Sequence, residues 1–217
     1  KEMLAQVNLG EPCILIGTQL LAKGHHFPNV TLVAILDADG GLFSPDFRAP
    51  EKMGQLITQV AGRSGRGDKP GTVILQSHYC DHPLIATLTS SGYNAFSQEL
   101  IKERQLAQLP PYRHMALIRA EAVNGEAAID FLKHSRQCAE RLLPATNLPS
   151  TNSVSYLGPL PAPMERRSGR FRHQFSIICN ERPTLQRMMT TLWLELEQSQ
   201  LAKRVRWSVD IDPQDTT

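Results

Sequence analysis

The chain has 217 residues, of which 41% are hydrophobic and 20% charged, and its formal net charge at pH 7 is +2. This composition is typical of a soluble protein with about two domains. It excludes a polycation, so a nucleic-acid site must be a local patch. No apolar run approaches the roughly 20 residues that a membrane span requires, so we expect a cytoplasmic protein with no membrane partner.

The cysteines, Cys13, Cys80, Cys138 and Cys179, lie far apart in the chain and form no C-x-x-C pair. Structural zinc sites take closely spaced cysteine and histidine ligands, so we expect no metal site within the chain. All but Cys80 lie in apolar patterns, which predicts buried thiols of a cytosolic protein. The sequence opens on Lys1 rather than on a methionine, so we expect a fragment of a longer protein.

The first half of the chain alternates short apolar runs with helical patterns. Such runs are typical of strands buried on both faces of a sheet, and the helical patterns repeat apolar residues every three or four positions. This order predicts a parallel sheet with flanking helices, whose ligands sit at the carboxyl ends of the strands. The predicted strands are 13–17, 31–36 and 72–76, and the predicted helices are 51–62, 83–91 and 93–106, with Gly92 between the last two.

The octapeptide Q-V-A-G-R-S-G-R, which begins at Gln59, carries the clearest chemical signal. Guanidinium groups are always charged and grip phosphate oxygens with two parallel hydrogen bonds. Arg63 and Arg66 are therefore candidate cations for the γ-phosphate of an NTP held between two lobes. Gly62 and Gly65 let the backbone approach a nucleotide-bearing partner lobe, and Gln59 lies on the same helix side as both arginines. The alternative is a solvated Gly-Arg loop.

Polar residues also follow the first two predicted strands. The Thr18 hydroxyl and nearby backbone N–H groups are candidates to hold a nucleic-acid phosphate. Lys23, next to Gly24, would add an electrostatic contact. The alternative is a plain connection with an exposed lysine. Asp37 and Asp39 follow the second strand, and we interpret them as polar strand-end residues rather than as Mg²⁺ ligands.

The second half begins after a stiff, proline-containing segment, 109–113. Its patterns predict the order strand, helix, strand, strand, helix, strand, which is the ferredoxin-like plan. Asn124 is the predicted cap of the first helix. The predicted elements are 115–123, 125–143, 154–157, 171–179, 181–199 and 205–211.

A basic segment lies between the two predicted hairpin strands of this half. It carries Arg166, Arg167, Arg170 and Arg172 together with the aromatic Phe171. We expect a loop in which the arginines follow phosphates and the ring stacks on a base. The alternative is a solvated hairpin tip, because runs of charge are usually simply exposed.

The start of the last predicted helix is a candidate partner site. Arg182 and Gln186 are four residues apart and share one side, beside an apolar edge that we assign to Leu185 and Met189. With Asn180 as the cap, backbone N–H groups would point outward unpaired. This combination suits a peptide that ends in an aromatic residue with a free carboxylate. The alternative is a surface pair at an ordinary helix start.

The motifs stand in the order of the late motifs of superfamily 2 helicases. They are 17–19, 22–28, 36–39 and 59–66. In this order and spacing the chain resembles the second motor lobe of the bacterial primosomal replication-restart helicases, the primosomal protein N′ family. The segment F-R-A-P-E at 47–51 also looks like that family, and the likeness runs to the end of the chain. The resemblance implies a RecA-like lobe over 1–108 and a DNA- and partner-binding domain over 109–217.

The resemblance assigns roles and also shows what these 217 residues lack. Arg63 and Arg66 would act on ATP, with Gln59 as a relay, while Thr18, Lys23 and its neighbouring glycine would lie near the tracked strand. The sequence has no G-x-x-x-x-G-K-[ST] phosphate loop. The first motor lobe, its acidic box and the zinc-binding cysteines would precede this chain.

The resemblance also implies how the whole protein works. It would use ATP and Mg²⁺, move 3′→5′ and reload the replicative helicase at stalled forks. Its partners would be forked and single-stranded DNA, the tail of single-strand DNA-binding protein and other primosome proteins. We expect the chain alone not to turn over ATP. The alternatives are another superfamily 2 helicase and, for the chain alone, a non-enzymatic module that binds single-stranded DNA or a partner.

Overall fold

The computed structural model describes residues 12–17, 30–62, 71–144 and 153–216. The chain divides into two compact units, Lys1–Ile101 (unit 1) and Lys102–Thr217 (unit 2). The fold is mixed α/β, with a parallel sheet of two strands in unit 1 and an antiparallel sheet of four strands in unit 2. No helix in the described ranges is long and apolar enough to cross a membrane.

Unit 1 is built from two strands and three helices among its described residues. The elements are β1 (Leu32–Ile35), α1 (Asp39–Leu42), α2 (Ala49–Ala61), β2 (Thr72–Leu75) and α3 (Pro83–Leu106), and the boundary between the units falls within α3. β1 and β2 are parallel, with Leu32 opposite Thr72 and Ile35 opposite Leu75. The strands predicted at 31–36 and 72–76 are confirmed. So is the break at Gly92, whose φ of 79° lies in the left-handed region.

Two expectations for unit 1 are wrong. Residues 12–17 form no strand, and Ile14 and Ile16 are each 90% exposed. Cys13, which we expected to be buried, is exposed as well. A strand exists only where its backbone groups pair with a neighbour, and no described strand pairs with this segment. β1 and β2 also alternate between exposed and half-buried positions instead of being buried on both faces.

Helix α2 is held against its neighbours by two close approaches. It buries Met53 and Ile57, as the predicted apolar stripe requires. A Cβ on Gly41 of α1 would lie 2.7 Å from the Cβ of Met53, and a Cβ on Gly54 would lie 2.3 Å from a ring carbon of Phe96. Both distances are too short for a real contact, so these helices pack closely only because glycine stands at both positions.

Unit 2 has two helices on one side of its sheet. Its elements are β3 (His114–Ala122), α4 (Gly125–Leu142), β4 (Val154–Arg167), β5 (Arg170–Cys179), α5 (Arg182–Gln198), a short 3-10 helix (Ala202–Arg204) and β6 (Arg206–Ile211). The sheet order is β4-β5-β3-β6, and every pair is antiparallel. The Asn124 side chain caps α4 by accepting a hydrogen bond from the Glu126 N–H at 3.0 Å, as predicted.

Strand β3 separates the two faces of this sheet. Its even-numbered residues, among them Ile118 and Ala120, lie in the core with Phe131 of α4 and Leu185 of α5. Because side chains alternate along a strand, the odd-numbered residues point away from both helices. The residues of β5 and β6 that pair with β3 follow the same alternation, so Arg172 and Arg206 share the face of Glu121.

A buried arginine ties the sheet together at the start of β3. Arg113 is 9% exposed, and its Nη atoms donate to the Ser155 hydroxyl at 3.1 Å, the Ser153 carbonyl at 2.9 Å and the Ile178 carbonyl at 3.1 Å. Burial lowers the pKa of Arg113 below its usual value. We predicted only a stiff boundary here, whereas Arg113 links three strands.

A prediction follows for the contact between α2 and α3. Gly54→Ala would place a methyl group against the Phe96 ring, which is fully buried and cannot move aside. We expect a loss of about 1–3 kcal/mol in the stability of unit 1, the usual cost of overpacking a core. Hydrogen–deuterium exchange should show faster exchange in peptides of unit 1 and unchanged exchange in unit 2.

The matched control is Gly40→Ala in α1. A Cβ there would meet only the Asp37 carboxylate, at 3.7 Å, so exchange should stay near that of the unaltered chain. Equal protection in the two variants would contradict the packing of α2 described above.

Candidate nucleic-acid interface

The Gln59 motif is divided between described residues and residues outside the described part. Gln59 lies exposed in the last turn of α2, and the Gly62 N–H donates to the Thr58 carbonyl at 3.0 Å, which ends the helix. Arg63, Gly65 and Arg66 lie outside the described residues, so their placement stays a prediction. So does that of Thr18, Lys23 and Gly24.

The carboxyl ends of β1 and β2 are joined by one carboxylate. Asp39 accepts a hydrogen bond from the Ser77 hydroxyl at 2.5 Å and another from the His78 N–H at 2.9 Å, and the His78 Nδ1 lies 2.9 Å away. The bond from Ser77, followed by those from His78, lowers the pKa of Asp39. The carboxylate is thus engaged by protein donors, in agreement with a structural role at the strand ends. The described residues contain no cluster of histidine, cysteine or acidic side chains that could hold a metal ion.

The basic segment of unit 2 is a tight hairpin and not a loop, which corrects our expectation. β4 runs to Arg167 and β5 begins at Arg170. Only Ser168 and Gly169 connect them, with φ of 50° and 77°. Positive φ at both central residues is typical of two-residue hairpin turns that match the twist of the strands. The arginines therefore belong to paired strands, which places their side chains on defined faces.

The hairpin register groups the arginines by face. Arg167 lies opposite Arg170, and Arg172 follows two residues later on the same face. Neither member of the opposed pair forms an ion pair with a described residue. Like charges placed directly opposite each other destabilise a hairpin. An anion bound between them would remove that repulsion.

The opposite face of the hairpin carries Arg166 and Phe171. The Arg166 guanidinium lies 5.1 Å from the centre of the Phe171 ring, a cation–π contact. A Cβ at Gly125 would lie 3.3 Å from the same ring, so Phe171 also packs against the start of α4. The ring is half-buried between these neighbours. The expected stacking of a base on Phe171 therefore loses support.

The helix of the predicted partner site begins one residue later than expected, and its surroundings differ. Helix α5 begins at Arg182, whose Nη2 lies 3.2 Å from a carboxylate oxygen of Asp212. Gln186 is exposed one turn later. The N-cap is Glu181 and not Asn180, and its side chain makes no capping bond. The cation is thus present, and an ion pair within unit 2 already partly neutralises it.

The apolar edge expected beside this site is wrong. Leu185 is fully buried and Met189 is 3% exposed, because both point into the core beneath the sheet. Both residues fall on the buried stripe of α5. A peptide at the helix start would therefore meet polar groups, and its apolar contacts would have to come from elsewhere.

A cavity that sequence patterns did not indicate lies on the sheet of unit 2. Its volume is about 300 Å³, and its lining includes Arg119, Glu121, Arg172, Arg206 and Ser208. Only Arg172 was a candidate from the sequence. The others lie on β3 and β6, far apart in the chain, and strand pairing alone brings them together. In the sequence, the only local sign of this cavity is the alternation of polar and apolar residues in R-A-E at 119–121 and R-W-S at 206–208.

The chain matches a known protein family and is similar along nearly all of its length to several proteins. The family model of the primosomal protein N C-terminal domain matches residues 105–214. The replication restart protein PriA of Haemophilus influenzae is 44% identical over 214 residues, which cover 98% of this chain and 28% of that protein. Its namesakes of Rickettsia conorii and Bacillus subtilis are 35% and 34% identical, again over 98% of this chain.

The chain spans less than a third of the length of these relatives, 28%, 31% and 26% respectively. Among solved structures, the de novo designed protein Foldit4 matches 48% of the chain with 14% identity and a TM-score of 0.32, which is too weak a likeness to support an argument. The family match covers about half of the chain, and the PriA relatives cover nearly all of it. The chain therefore belongs to the primosomal protein N family.

Proposed function

We propose that this chain is the carboxyl-terminal part of an ATP-dependent DNA helicase that recognises stalled or collapsed replication forks and restarts replication by assembling the primosome. The proposal rests on the 44% identity with a replication restart protein over 98% of this chain. A match of this extent spans the Gln59 motif as well as the arginine hairpin. A binding module without a motor is less well supported, because it would not need that motif.

In this proposal residues 1–108 belong to the second, RecA-like motor lobe. The parallel pairing of β1 with β2 and the flanking helices support it. Residues 109–217 form a ferredoxin-like domain that binds DNA and partners. The order β-α-β-β-α-β and the sheet order β4-β5-β3-β6 support that assignment. The protein would act in the cytoplasm and translocate 3′→5′.

The motor chemistry assigned to this chain is electrostatic. Arg63 and Arg66 would stabilise charge on the γ-phosphate, and Gln59 would relay between nucleotide and DNA. Gly62 and Gly65 would let this segment approach the nucleotide. Gln59 stands at the end of α2, a helix that packs closely against its neighbours in unit 1 at Gly41 and Gly54. ATP and Mg²⁺ would be held mainly by a motor lobe outside this chain, and the zinc ions of the whole protein would be bound by paired cysteines that also lie outside it.

A direct test replaces Arg66 by Ala in the whole protein. Loss of one cation from the transition state should lower DNA-stimulated ATP turnover by on the order of 10³-fold or more, as for arginine fingers. DNA affinity should hardly change. Phosphate release and fluorescence anisotropy on the same preparation measure the two effects.

Two controls accompany this variant. Arg187→Ala removes an exposed cation of α5 and should leave turnover unchanged. The 217-residue chain alone should release no phosphate above a heat-treated sample, because it lacks a phosphate loop. Surviving turnover together with collapsed DNA binding would show that Arg66 contacts DNA instead of nucleotide.

The DNA contacts assigned to this chain come from both halves. Thr18, Lys23 and Gly24 would lie near the tracked strand in the motor lobe. In unit 2 the hairpin arginines would neutralise phosphates, and the unpaired charges opposite each other at Arg167 and Arg170 support that role. Forked and single-stranded DNA are the expected ligands.

The hairpin proposal predicts a change in salt dependence. Replacing Arg166, Arg167, Arg170 and Arg172 by Ala should flatten the plot of log affinity against log salt for a single strand. The slope should fall by about 0.7 for each phosphate that an arginine no longer neutralises, or by about 2.8 if all four residues neutralise one. Anisotropy titrations at several salt concentrations give this slope. An unaltered slope would mean that the hairpin is merely solvated.

The start of α5 is the proposed site for the tail of single-strand DNA-binding protein, alongside other primosome proteins as partners. An acidic tail ending in an aromatic residue with a free carboxylate offers the charge that Arg182 requires, and Gln186 adds an amide one turn away. The Arg182 side chain is 58% exposed, which supports this assignment, although the peptide would have to compete with Asp212 for the guanidinium.

For this site we predict that Arg182→Ala weakens binding of such a tail peptide by about 1.5–3 kcal/mol, the range for a charge-assisted hydrogen bond. Affinity for naked single-stranded DNA should stay nearly constant. Titration of a labelled peptide against both proteins measures the difference, with Arg187→Ala on the same helix as the control for lost charge. Equal peptide affinities would end the proposal.

A further inference from the structure

The cavity of unit 2 lies on the sheet face that points away from α4 and α5. Ala116, Ile118 and Ala120 of β3 pack in the core with those helices. Strand alternation therefore turns Arg119 and Glu121 to the opposite face. Cross-strand partners share a face, so the residues paired with these two point the same way.

Pairing lines up three charges across neighbouring strands. Glu121 of β3 lies opposite Arg172 of β5 on one side and opposite Arg206 of β6 on the other. Since neighbouring strands lie about 4.8 Å apart, the two arginines flank the carboxylate at two strand spacings from each other. Arg119, in the next row, stands opposite Ser208. All five residues line the cavity of about 300 Å³.

The cations of this cavity outnumber its carboxylates. Arg119, Arg172 and Arg206 line it, and Glu121 is the one acidic residue among the lining residues that the structure describes. Glu121 reaches Arg206 only at 3.8 Å. Arg172 donates to a backbone carbonyl at 3.4 Å and forms no ion pair within the described ranges. The cavity is therefore electropositive.

Arg119 differs from the other two because its charge is engaged. Its Nη1 lies 3.2 Å from the Asp210 carboxylate, and its Nη2 donates to the Asp215 carbonyl. Arg119 thus forms part of the cavity wall, while Arg172 and Arg206 are the arginines available to contact an anion. The Arg206 side chain is 71% exposed, so it reaches into solvent beside the opening.

We propose that this cavity binds the phosphates of a single-stranded nucleic acid, with Arg172 and Arg206 as the contacting cations. The inference rests on the DNA binding proposed above and extends it from the hairpin onto the sheet. Arg167 and Arg170 lie on the same face as Arg172, so the basic row continues from the hairpin tip through the cavity to β6. A recessed row suits one flexible strand, whose backbone can enter it, better than a stiff duplex.

Glu121 limits the affinity of this site. It stands between the two contacting arginines and would repel an incoming phosphate while it holds Arg206. Removing its charge should therefore strengthen binding, and by more than removing the exposed carboxylate of Glu197 on α5, which acts only through the net charge of the chain. The size of this difference separates a binding site from a network of surface ion pairs.

The experiment compares Arg206→Ala with Glu121→Gln in the full chain, using a fluorescein-labelled oligothymidylate and fluorescence anisotropy. Arg206→Ala should reduce the slope of log affinity against log salt by about 0.7. The loss of affinity relative to the unaltered chain should then be about fivefold greater at 0.1 M salt than at 1 M salt. Glu121→Gln should bind more tightly than the unaltered chain. Arg187→Ala, on the helix side of the sheet, should match the unaltered chain.

Failure of this inference is distinguishable from failure of the proposed function. Arg167→Ala and Arg170→Ala test the hairpin alone, because neither residue lines the cavity. If they weaken binding while Arg206→Ala and Glu121→Gln change nothing, the cavity proposal is overturned and the hairpin proposal stands. If none of the four variants changes affinity, both are overturned.

Free nucleotide is the other source of the same phosphate chemistry. Thymidine monophosphate added as a competitor should displace the oligonucleotide only weakly, because its single phosphate can contact only one position of the basic row. If the monophosphate at matched phosphate concentration removes the whole Arg206-dependent part of binding, the cavity holds a free nucleotide and the single-strand proposal falls.

Discussion

Strand β3 imposes the constraint on which unit 2 depends. It pairs with β5 along nine positions and with β6 along six, so six of its side chains have fixed neighbours on both sides. Small and branched residues at alternate positions, such as Ala116 and Ile118, allow α4 and α5 to pack closely beneath. The intervening residues are then forced to the far side, where a charge such as Glu121 stays beside water. The dry core and the electropositive face are thus two results of one alternation.

Unit 1 depends on close approach rather than on alternation. Gly41 and Gly54 leave no room for a side chain, and through them α1 and α3 hold α2 on two sides. This close packing of α2 matters because Gln59 stands at its end, just before the two arginines to which we assign γ-phosphate contacts. A cation that stabilises transferred charge must be held in place before the reaction, since that is the source of its effect.

Local patterns were sufficient for most elements. Apolar periodicity located α2, α4 and α5, and the capping role of Asn124 and the break at Gly92 followed from the chemistry of single residues. The patterns failed where a partner decides the outcome. Residues 12–17 are as apolar as a buried strand, yet no described strand pairs with them. The hairpin was misjudged as a loop because charge density suggested exposure, while a two-residue turn allowed arginines on both strands.

The sequence by itself determined the mixed α/β class, the approximate limits of the longer helices and, through its resemblance, the family. It determined these because residue spacing and chemical type act locally along the chain. Tertiary structure alone decided which charges meet. It placed Glu121 opposite Arg172 and Arg206 on the neighbouring strands, turned Leu185 into the core, and paired Arg182 with Asp212. Strand register and helix orientation depend on contacts between segments that are far apart in the chain, and no local pattern specifies which segments meet.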